Sequence, residues 1–390
     1  MRFATAAHFA TLALCLSVAT NLVAEPPNSA PNVVMLISDD QAWTDYGFMG
    51  HEIIETPKLD AFARQSVVYS RGYVPSSLCR PSLMTMITGR YPHEHGITGN
   101  DPPKGVNRND MLTHVDAAQT LPKLLGEAGY KSLQTGKWWE GSPARGGFTH
   151  AMTHGDTSRG GRHGDVGLKI GREGLEPIFS FLKERGDSPF FLWYAPFLPH
   201  TPHNPPQRLF EKYKAKVDSP HVARYYAMCE WFDETCGELL DHLEAEGLAE
   251  NTIVVYVCDN GWIQNPNAGN YAAKSKRSPY DGGIRTPIMV RWPARLTPRF
   301  DRETLVSSID LAPTILAACG VKAPAGLPGE NLLQDSAKKP LARKQLFGEI
   351  FDHDVADLQD PTASLQFRWT IQGDWKLILP ADGKNAELYF

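Results

Sequence analysis

The sequence predicts an α/β protein in which helices sandwich a mostly parallel sheet, with a small antiparallel subdomain at the C-terminal end. Short apolar runs of strand length alternate with helical segments, which is typical of βαβ units. After about residue 342 this alternation stops and only short strand patterns follow. The length of 390 residues suits one large domain with an appendage, and we predict an α/β domain over 25–342 and a strand subdomain over 343–390.

The first 24 residues are predicted to be a secretory signal peptide. Arg2 precedes an apolar run over 9–19, and small residues then lead to Ala24. The run is short for a bilayer span, although an N-terminal anchor helix is the alternative. No later run of about 18 apolar residues occurs. We therefore expect an exported protein, periplasmic or secreted, without a membrane segment after cleavage.

Two predicted strands end in acidic side chains. The run over 32–38 reads as a buried parallel strand followed by Asp39 and Asp40, and the run over 252–258 is followed by Asp259 and Asn260. Ligands of open α/β sheets bind at the carboxyl ends of the strands. Three carboxylates and an amide oxygen suit Ca²⁺ or Mg²⁺ better than zinc. Either pair by itself would equally suit a turn or a helix cap.

The remaining elements follow from apolar periodicity, prolines, glycines and capping residues. Further strands of the main sheet are predicted at 67–69, 130–133, 189–195 and 287–290. Helices are predicted at 56–63, 121–129, 222–246 and 310–319. The C-terminal strands are predicted at 346–351, 369–372 and 375–378, and the last two flank Gly373-Asp374, a hairpin signal.

Charge and cysteine content exclude some classes of function. The net charge of −5 argues against broad binding of nucleic acid, which needs a strongly basic face, so no nucleic-acid partner is expected. An anionic substrate would therefore have to be bound by a few cationic side chains positioned in the site. Cys229 and Cys236 stand seven residues apart in a helical stretch, about 10 Å along its axis, which is too far for a disulfide.

The segment from Ser77 to Arg90 contains Cys79-Arg80-Pro81-Ser82 and ends in Thr-Gly-Arg, with Tyr-Pro following. It closely resembles the signature of the type I sulfatases of the alkaline-phosphatase superfamily, and the resemblance runs from Asn32 to Tyr389. It implies an alkaline-phosphatase-like fold and oxidation of Cys79 to formylglycine by a formylglycine-generating or equivalent maturase. The alternative is that Cys79 is a small buried residue.

The resemblance also implies roles for individual residues. It assigns a Ca²⁺ site, or Mg²⁺, to Asp39, Asp40, Cys79, Asp259 and Asn260. It assigns catalytic roles to Cys79, Lys137, His200 and Lys276. Without the resemblance, each lysine would be interpreted as a surface residue and His200 as part of a turn. A shift in the loop would place Lys274 in the site instead of Lys276.

The implied activity is hydrolysis of a sulfate ester, with a sulfated small molecule or glycan as substrate. Two alternatives stay open. One is a phosphoester or phosphonate hydrolase of the same superfamily, because sulfate and phosphate monoesters share tetrahedral geometry. The other is a secreted pseudoenzyme that binds sulfated glycans.

Two positions depart from the family pattern. Leu83 stands where the family usually has arginine, and Trp139 where it usually has histidine. We expect both to form a small apolar wall beside Cys79, and a glycine-rich segment over 145–165 to fold over the site and supply cations. Its candidates are Arg145, His150, His154, Arg159, Arg162 and His163, with His154 the predicted compensating donor. The alternative is a polar surface loop. His93 and His95 are interpreted as structural.

Overall fold

The structure is a computed structural model that describes residues 30–334, 341 and 343–390. The predicted signal peptide over 1–24 lies outside these residues. Within the described ranges no helix combines the length and the apolar character needed to cross a membrane.

Strands and helices alternate through most of the chain. The strands are β1 Asn32–Ser38, β2 Val67–Tyr73, β3 Lys131–Gly136, β4 His150–Ala151, β5 Phe190–Ala195, β6 Thr252–Cys258, β7 Arg285–Arg291, β8 Arg299–Asp301, β9 Val306–Ser307, β10 Gln345–Phe351, β11 Leu365–Gln372, β12 Trp375–Pro380 and β13 Glu387–Tyr389. The α-helices are α1 Pro57–Arg64, α2 Cys79–Thr88, α3 Pro92–His95, α4 His114–Ala117, α5 Leu121–Glu127, α6 Glu176–Glu184, α7 Gln207–Lys214, α8 Pro220–Ala245, α9 Asp281–Ile284 and α10 Leu311–Ala318.

The main sheet has the strand order β4-β3-β5-β1-β6-β7-β2-β8, with β9 also paired to β2. β7 runs antiparallel to its neighbours β6 and β2, while the other pairs are parallel. The predicted mostly parallel sheet is therefore confirmed. The sequence analysis did not predict the short strands β4, β8 and β9 or the helices α6 and α7.

Alternating side chains of the central strands serve two separate cores. Val33 and Met35 of β1 belong to a cluster that also holds residues of α2, α5 and α10. Val34 and Leu36 face the opposite cluster, which holds residues of α1, α6 and α8. Because side chains alternate along a strand, a strand buried on both faces is apolar at consecutive positions. Helices thus cover the sheet on both sides, as predicted.

The C-terminal strands form a separate antiparallel sheet in the order β10-β11-β12-β13. Gly373 and Asp374 join β11 to β12, as the hairpin signal indicated. The sheet lies against the main body, where the Glu349 amide donates to the Pro75 carbonyl over 2.8 Å and Trp369 packs near Tyr73. The predicted fold class is thereby confirmed, while the division into domains at 342 and 343 stays a prediction.

Candidate active site

The two strand-end pairs meet at one edge of the sheet. β1 and β6 are adjacent and in register, with Ser38 opposite Cys258, so the residues that follow them lie side by side. The Asp40 amide donates to Asp259 Oδ1 over 3.1 Å, and Asn260 Nδ2 donates to Asp40 Oδ1 over 2.6 Å. Asp40 has φ 63°, a left-handed conformation that is uncommon outside glycine but tolerated by aspartate.

The carboxylates of this edge fit a hard divalent cation. Oδ2 of Asp39 and Oδ2 of Asp259 are buried without a hydrogen-bond partner among the described residues. One ligand atom each from Asp39, Asp40, Cys79 and His200 lies within 4.8 Å of the others. Orphaned carboxylate oxygens are costly in a folded protein, and Ca²⁺ or Mg²⁺ would satisfy them.

Burial and mutual repulsion act differently on the two neighbouring aspartates. Desolvation, reinforced by the charge of Asp259, raises the pKa of Asp39 well above its ordinary value. Burial would also raise the pKa of Asp40, but the nearby lysines, Lys276 above all, outweigh it and hold that pKa at about 2. Asp40 is therefore the carboxylate that the surrounding cations keep ionised.

Cys79 is the first residue of α2, a helix whose residues are all buried. Its Sγ lies 3.3 Å from Lys276 Nζ and 3.5 Å from Asn260 Oδ1. Burial raises the pKa of the thiol to about 12 despite the nearby lysines. An unmodified Cys79 is thus a protonated thiol at neutral pH and a weak nucleophile.

Lys137 follows β3 through a turn that only glycine can make. Gly136 has φ 74°, and a Cβ at this position would lie 1.9 Å from the Ala195 carbonyl oxygen. Lys137 Nζ donates to Asp39 Oδ1 over 2.7 Å and lies 3.6 Å from Asp259 Oδ2. Burial lowers the pKa of this lysine, but the negative charge of Asp39 and its neighbours raises it well above the ordinary value. The ammonium group stays charged.

Lys276, and not Lys274, points into the site. Lys276 Nζ lies 2.6 and 2.7 Å from the two carboxylate oxygens of Asp40. The negative charge of Asp40 outweighs the effect of burial and raises the pKa of Lys276. Lys274 Nζ instead lies 4.4 Å from the centre of the Tyr280 ring.

His200 presents one ring nitrogen to the site. Nδ1 lies 2.5 Å from the Thr201 carbonyl oxygen, so it carries the proton and donates, while Nε2 lies 3.4 Å from Asp40 Oδ2. The ring stacks on Phe197 with centroids 4.2 Å apart. Burial lowers the pKa of His200 well below its ordinary value and Asp40 only partly offsets it, so the free imidazole is neutral.

The environment of Trp139 combines the predicted apolar packing with nearby cations. Leu83 and Trp139 are both buried in the same core cluster as Cys79. The Trp139 ring, however, lies 4.7 Å from the Arg162 guanidinium and 5.2 Å from that of Arg108. A tryptophan can pack in a core and still attract guanidinium groups to its π face.

The predicted donor His154 does not lie against Trp139. His154 Nδ1 accepts from the Asp156 amide over 2.9 Å and lies 3.2 Å from Asp165 Oδ2. Arg162 and His163 are the members of the segment over 145–165 that contact the Trp139 ring. The local turn around Asp165 holds His154 within its own loop, and this corrects our choice of donor.

Sequence reasoning also missed a buried ion pair beside the motif. Arg80 Nε and Nη2 donate to the two oxygens of Glu140 over 2.6 and 2.7 Å, and both side chains are about 1% exposed. The pair joins the residue after Cys79 to the residue after Trp139. The only sequence signal was a charged residue next to each of two motif positions.

The two histidines that follow the Cys79 motif contact structural elements. His95 Nε2 lies 3.3 Å from Thr85 Oγ1 of α2, and His93 Nδ1 lies 2.7 Å from Glu349 of β10. These contacts agree with their interpretation as structural residues.

Comparison with known proteins defines the class to which this fold and site belong. Residues 31–321 match the family model for sulfatases, and residues 269–380 match that for the C-terminal region of N-sulphoglucosamine sulphohydrolase. The chain belongs to the sulfatase family and is a sulfuric ester hydrolase.

Individual relatives are distant in sequence. Human N-acetylgalactosamine-6-sulfatase is 28% identical over 365 residues, covering 81% of this chain and 68% of the relative. BT4656 in complex with its substrate D-glucosamine-2-N,6-O-disulfate superposes with a TM-score of 0.68 at 20% identity, covering 93% of this chain and 91% of the other. The phosphonate monoester hydrolase of Agrobacterium radiobacter gives 0.69 at 17% identity, covering 92% and 89%. The two structures establish likeness of fold.

Proposed function

We propose that the protein removes a sulfate group from a sulfated carbohydrate through a formylglycine at position 79, in a site that binds Ca²⁺. The observation that carries this proposal is the buried convergence of Cys79, Lys276 and Asp40, with Lys276 Nζ in contact with both of the other side chains. The carbohydrate substrate is supported by the relative that acts on N-acetylgalactosamine-6-sulfate and by the sugar bound to BT4656.

The cation would be held by Asp39, Asp40, Asp259, Asn260 and residue 79. When bound, such a cation neutralises charge on sulfate oxygens and lowers the pKa of a neighbouring hydroxyl group. Formylglycine supplies, in its hydrated form, an oxygen nucleophile with a second hydroxyl group that permits release of the sulfate. An unmodified Cys79 with its raised pKa offers neither property.

The lysines and His200 would act on the two ends of the scissile bond. Lys137 and Lys276 are held charged by the carboxylates and would stabilise negative charge on the transferred sulfate. His200 Nε2 would protonate the leaving alcohol oxygen, while the contact of Nδ1 with Thr201 fixes the ring. An arriving sulfate brings negative charge, which favours the protonated imidazole.

Alanine at Lys137, His200 or Lys276 is expected to reduce turnover of p-nitrophenyl sulfate by about 10²-fold or more. Lys274→Ala is the matched control, since its ammonium group lies over Tyr280 outside the site, and it should keep near-normal turnover. Near-normal turnover in the three site variants would contradict the assigned roles. Comparison with p-nitrophenyl phosphate tests the phosphoester alternative.

The mass of the peptide that contains Cys79 tests the modification directly. We expect the formylglycine mass, and a larger modified fraction when a formylglycine-generating maturase is co-expressed. A thiol mass in active protein would refute the formylglycine nucleophile. Export is part of the same proposal, and an N-terminus beginning just after Ala24 in periplasmic or secreted material would support it.

A further inference from the structure

A group of cationic and aromatic side chains lies next to the proposed catalytic centre. We call it the Trp139 cluster, and it consists of Arg108, Trp139, Arg162 and His163. Both guanidinium groups and the His163 ring lie within 5.2 Å of the Trp139 ring centre. Lys137 Nζ lies 5.9 Å from the same ring, which places the cluster beside the reacting groups.

Several polar atoms of the Trp139 cluster are buried without a partner. Within the described part of the chain, Trp139 Nε1, Arg108 Nε and Nη2, and His163 Nδ1 make no hydrogen bond. The Trp139 side chain is 4% exposed, so bulk water does not satisfy its N–H group. Buried polar groups in native proteins are nearly always paired with protein, water or a ligand, and the four unpartnered atoms of the cluster leave positions beside the catalytic centre at which a ligand can supply the partners.

The two arginines of the cluster face one partly buried carboxylate, Asp101, and the next acidic neighbour of Arg162, Asp354, is largely exposed. Arg108 Nη1 donates to Asp101 Oδ1 over 2.7 Å, and Arg162 donates to both oxygens of the same carboxylate, through Nε over 2.8 Å and through Nη2. The adjacent Arg80–Glu140 pair is balanced and adds no net charge. The Arg162 side chain is 42% exposed while that of Arg108 is 11% exposed, so Arg162 stands at the solvent side of the cluster.

We propose that the Trp139 cluster is a subsite for a second anionic group on the substrate, a carboxylate or another sulfate. This inference rests on the proposed function and narrows the substrate to saccharides that carry an acidic group in addition to the sulfate that is removed. The Nε and Nη2 atoms of Arg108, which have no partner among the described residues, present parallel N–H donors to either kind of oxyanion, while Arg162 adds positive charge at the solvent side. Trp139 orients the two guanidinium groups through its π face.

Binding by the full-length Cys79→Ser protein, measured by calorimetry, separates this subsite from turnover. D-Glucosamine-2-N,6-O-disulfate and N-acetylglucosamine-6-sulfate form one pair of probes. A uronic acid linked to 6-sulfated N-acetylgalactosamine, and the same disaccharide with its carboxyl group reduced, form the other. We expect tighter binding of the doubly anionic member in at least one pair, and the pair that responds distinguishes sulfate from carboxylate.

Arg162→Gln should weaken binding of the preferred doubly anionic probe about tenfold or more and leave its singly anionic partner within about twofold. Arg159→Gln is the matched control, because Arg159 is an exposed arginine of the same segment, and it should bind all probes as the parent does. Arg108→Gln should repeat the effect of Arg162→Gln. Unchanged thermal unfolding midpoints would show that these losses are local.

Equal loss for both members of a pair, or no loss in either arginine variant, would overturn the subsite. So would a parent protein that binds singly and doubly anionic probes equally in both pairs. The outcome of the test for the proposed function is independent of the outcome for the subsite. If the wild-type protein cleaves no sulfate ester while the selective loss of binding persists, the subsite stands and the sulfatase mechanism does not.

Discussion

At the scale of single residues, Trp139 changes the character of the pocket beside position 79. A histidine there would offer a ring nitrogen to the nucleophile, whereas Trp139 offers an aromatic face to Arg108 and Arg162. Compared with the histidine that is usual in the family, position 139 lacks the imidazole nitrogen that would face residue 79, but two arginines from separate segments of the chain lie against its ring. This arrangement favours a pocket rebuilt around other donors over a decayed one.

Trp139→His should therefore not raise activity. The smaller ring would lose its contacts with both guanidinium groups and leave a cavity in the core that surrounds Cys79. We expect kcat/KM for p-nitrophenyl sulfate to stay level or fall. A several-fold gain from this single change would show that the tryptophan is a defect in an otherwise ordinary site.

The buried Arg80–Glu140 pair is expected to matter for stability. Arg80→Met would leave Glu140 charged and unpaired in the interior, which costs about 3–5 kcal/mol in the free energy of unfolding. Arg80→Met combined with Glu140→Leu should recover most of this loss, because both charges are then removed. Denaturant-induced unfolding of the parent, the single variant and the double variant measures these free energies.

Arg208→Met provides the comparison, since the Arg208–Glu234 pair is largely exposed and should contribute no more than about 1 kcal/mol. Equal losses from Arg80→Met and Arg208→Met would contradict the importance of burial.

At the scale of elements, the turn after β3 positions Lys137. Gly136→Ala would place a methyl group against the Ala195 carbonyl and force a left-handed conformation on alanine. We expect a loss of about 3 kcal/mol or more in the free energy of unfolding, or a displaced Lys137 with little activity. Circular dichroism during denaturation and turnover of p-nitrophenyl sulfate measure the two effects.

Gly126→Ala serves as the control for this substitution. Gly126 lies in α5, and a Cβ there meets no atom within 4 Å. Alanine is a better helix former than glycine, so this variant should gain up to about 1 kcal/mol. A Gly136→Ala protein as stable and active as Gly126→Ala would refute the steric argument.

At the scale of the whole molecule, the C-terminal sheet shares a core with the main sheet. Leu346, Trp369 and Ile378 belong to the same buried cluster as Cys79. The Trp369 ring also fills the space above Gly348, where a Cβ would lie 2.2 Å from a ring atom. We therefore expect the predicted subdomain over 343–390 to unfold together with the rest of the chain.

Trp369→Ala should lower the free energy of unfolding by about 3–5 kcal/mol, and the chain should still unfold in a single transition. Trp375→Ala is the matched control, because that side chain is 50% exposed and its loss should cost about 1 kcal/mol or less. Two separate transitions, with only the first shifted by Trp369→Ala, would show that the C-terminal sheet is an independent domain.

The fold class could be predicted from the amino-acid pattern. Strands buried on both faces leave continuous apolar runs, and their alternation with helical segments makes the βαβ arrangement recognisable. The sequence also identified the residues at the ends of β1 and β6, since the carboxyl ends of neighbouring parallel strands share an edge. The helices α6 and α7 were missed, although they are as long as α1 and α10, which the sequence did predict.

Which polar side chains reach the site became clear from the folded chain and not from the sequence. The sequence does not tell whether Lys274 or Lys276 enters the site. It also does not tell whether His154 or Arg162 is the residue of the 145–165 segment that contacts Trp139. The path of each loop depends on distant contacts, such as the Arg277 amide with the Ser77 carbonyl and Arg162 with Asp101. A local sequence pattern carries no information about such distant partners. For the same reason the contact of Arg108 with Trp139 and the pairing of Glu140 with Arg80 were not predicted, and only the structure shows them.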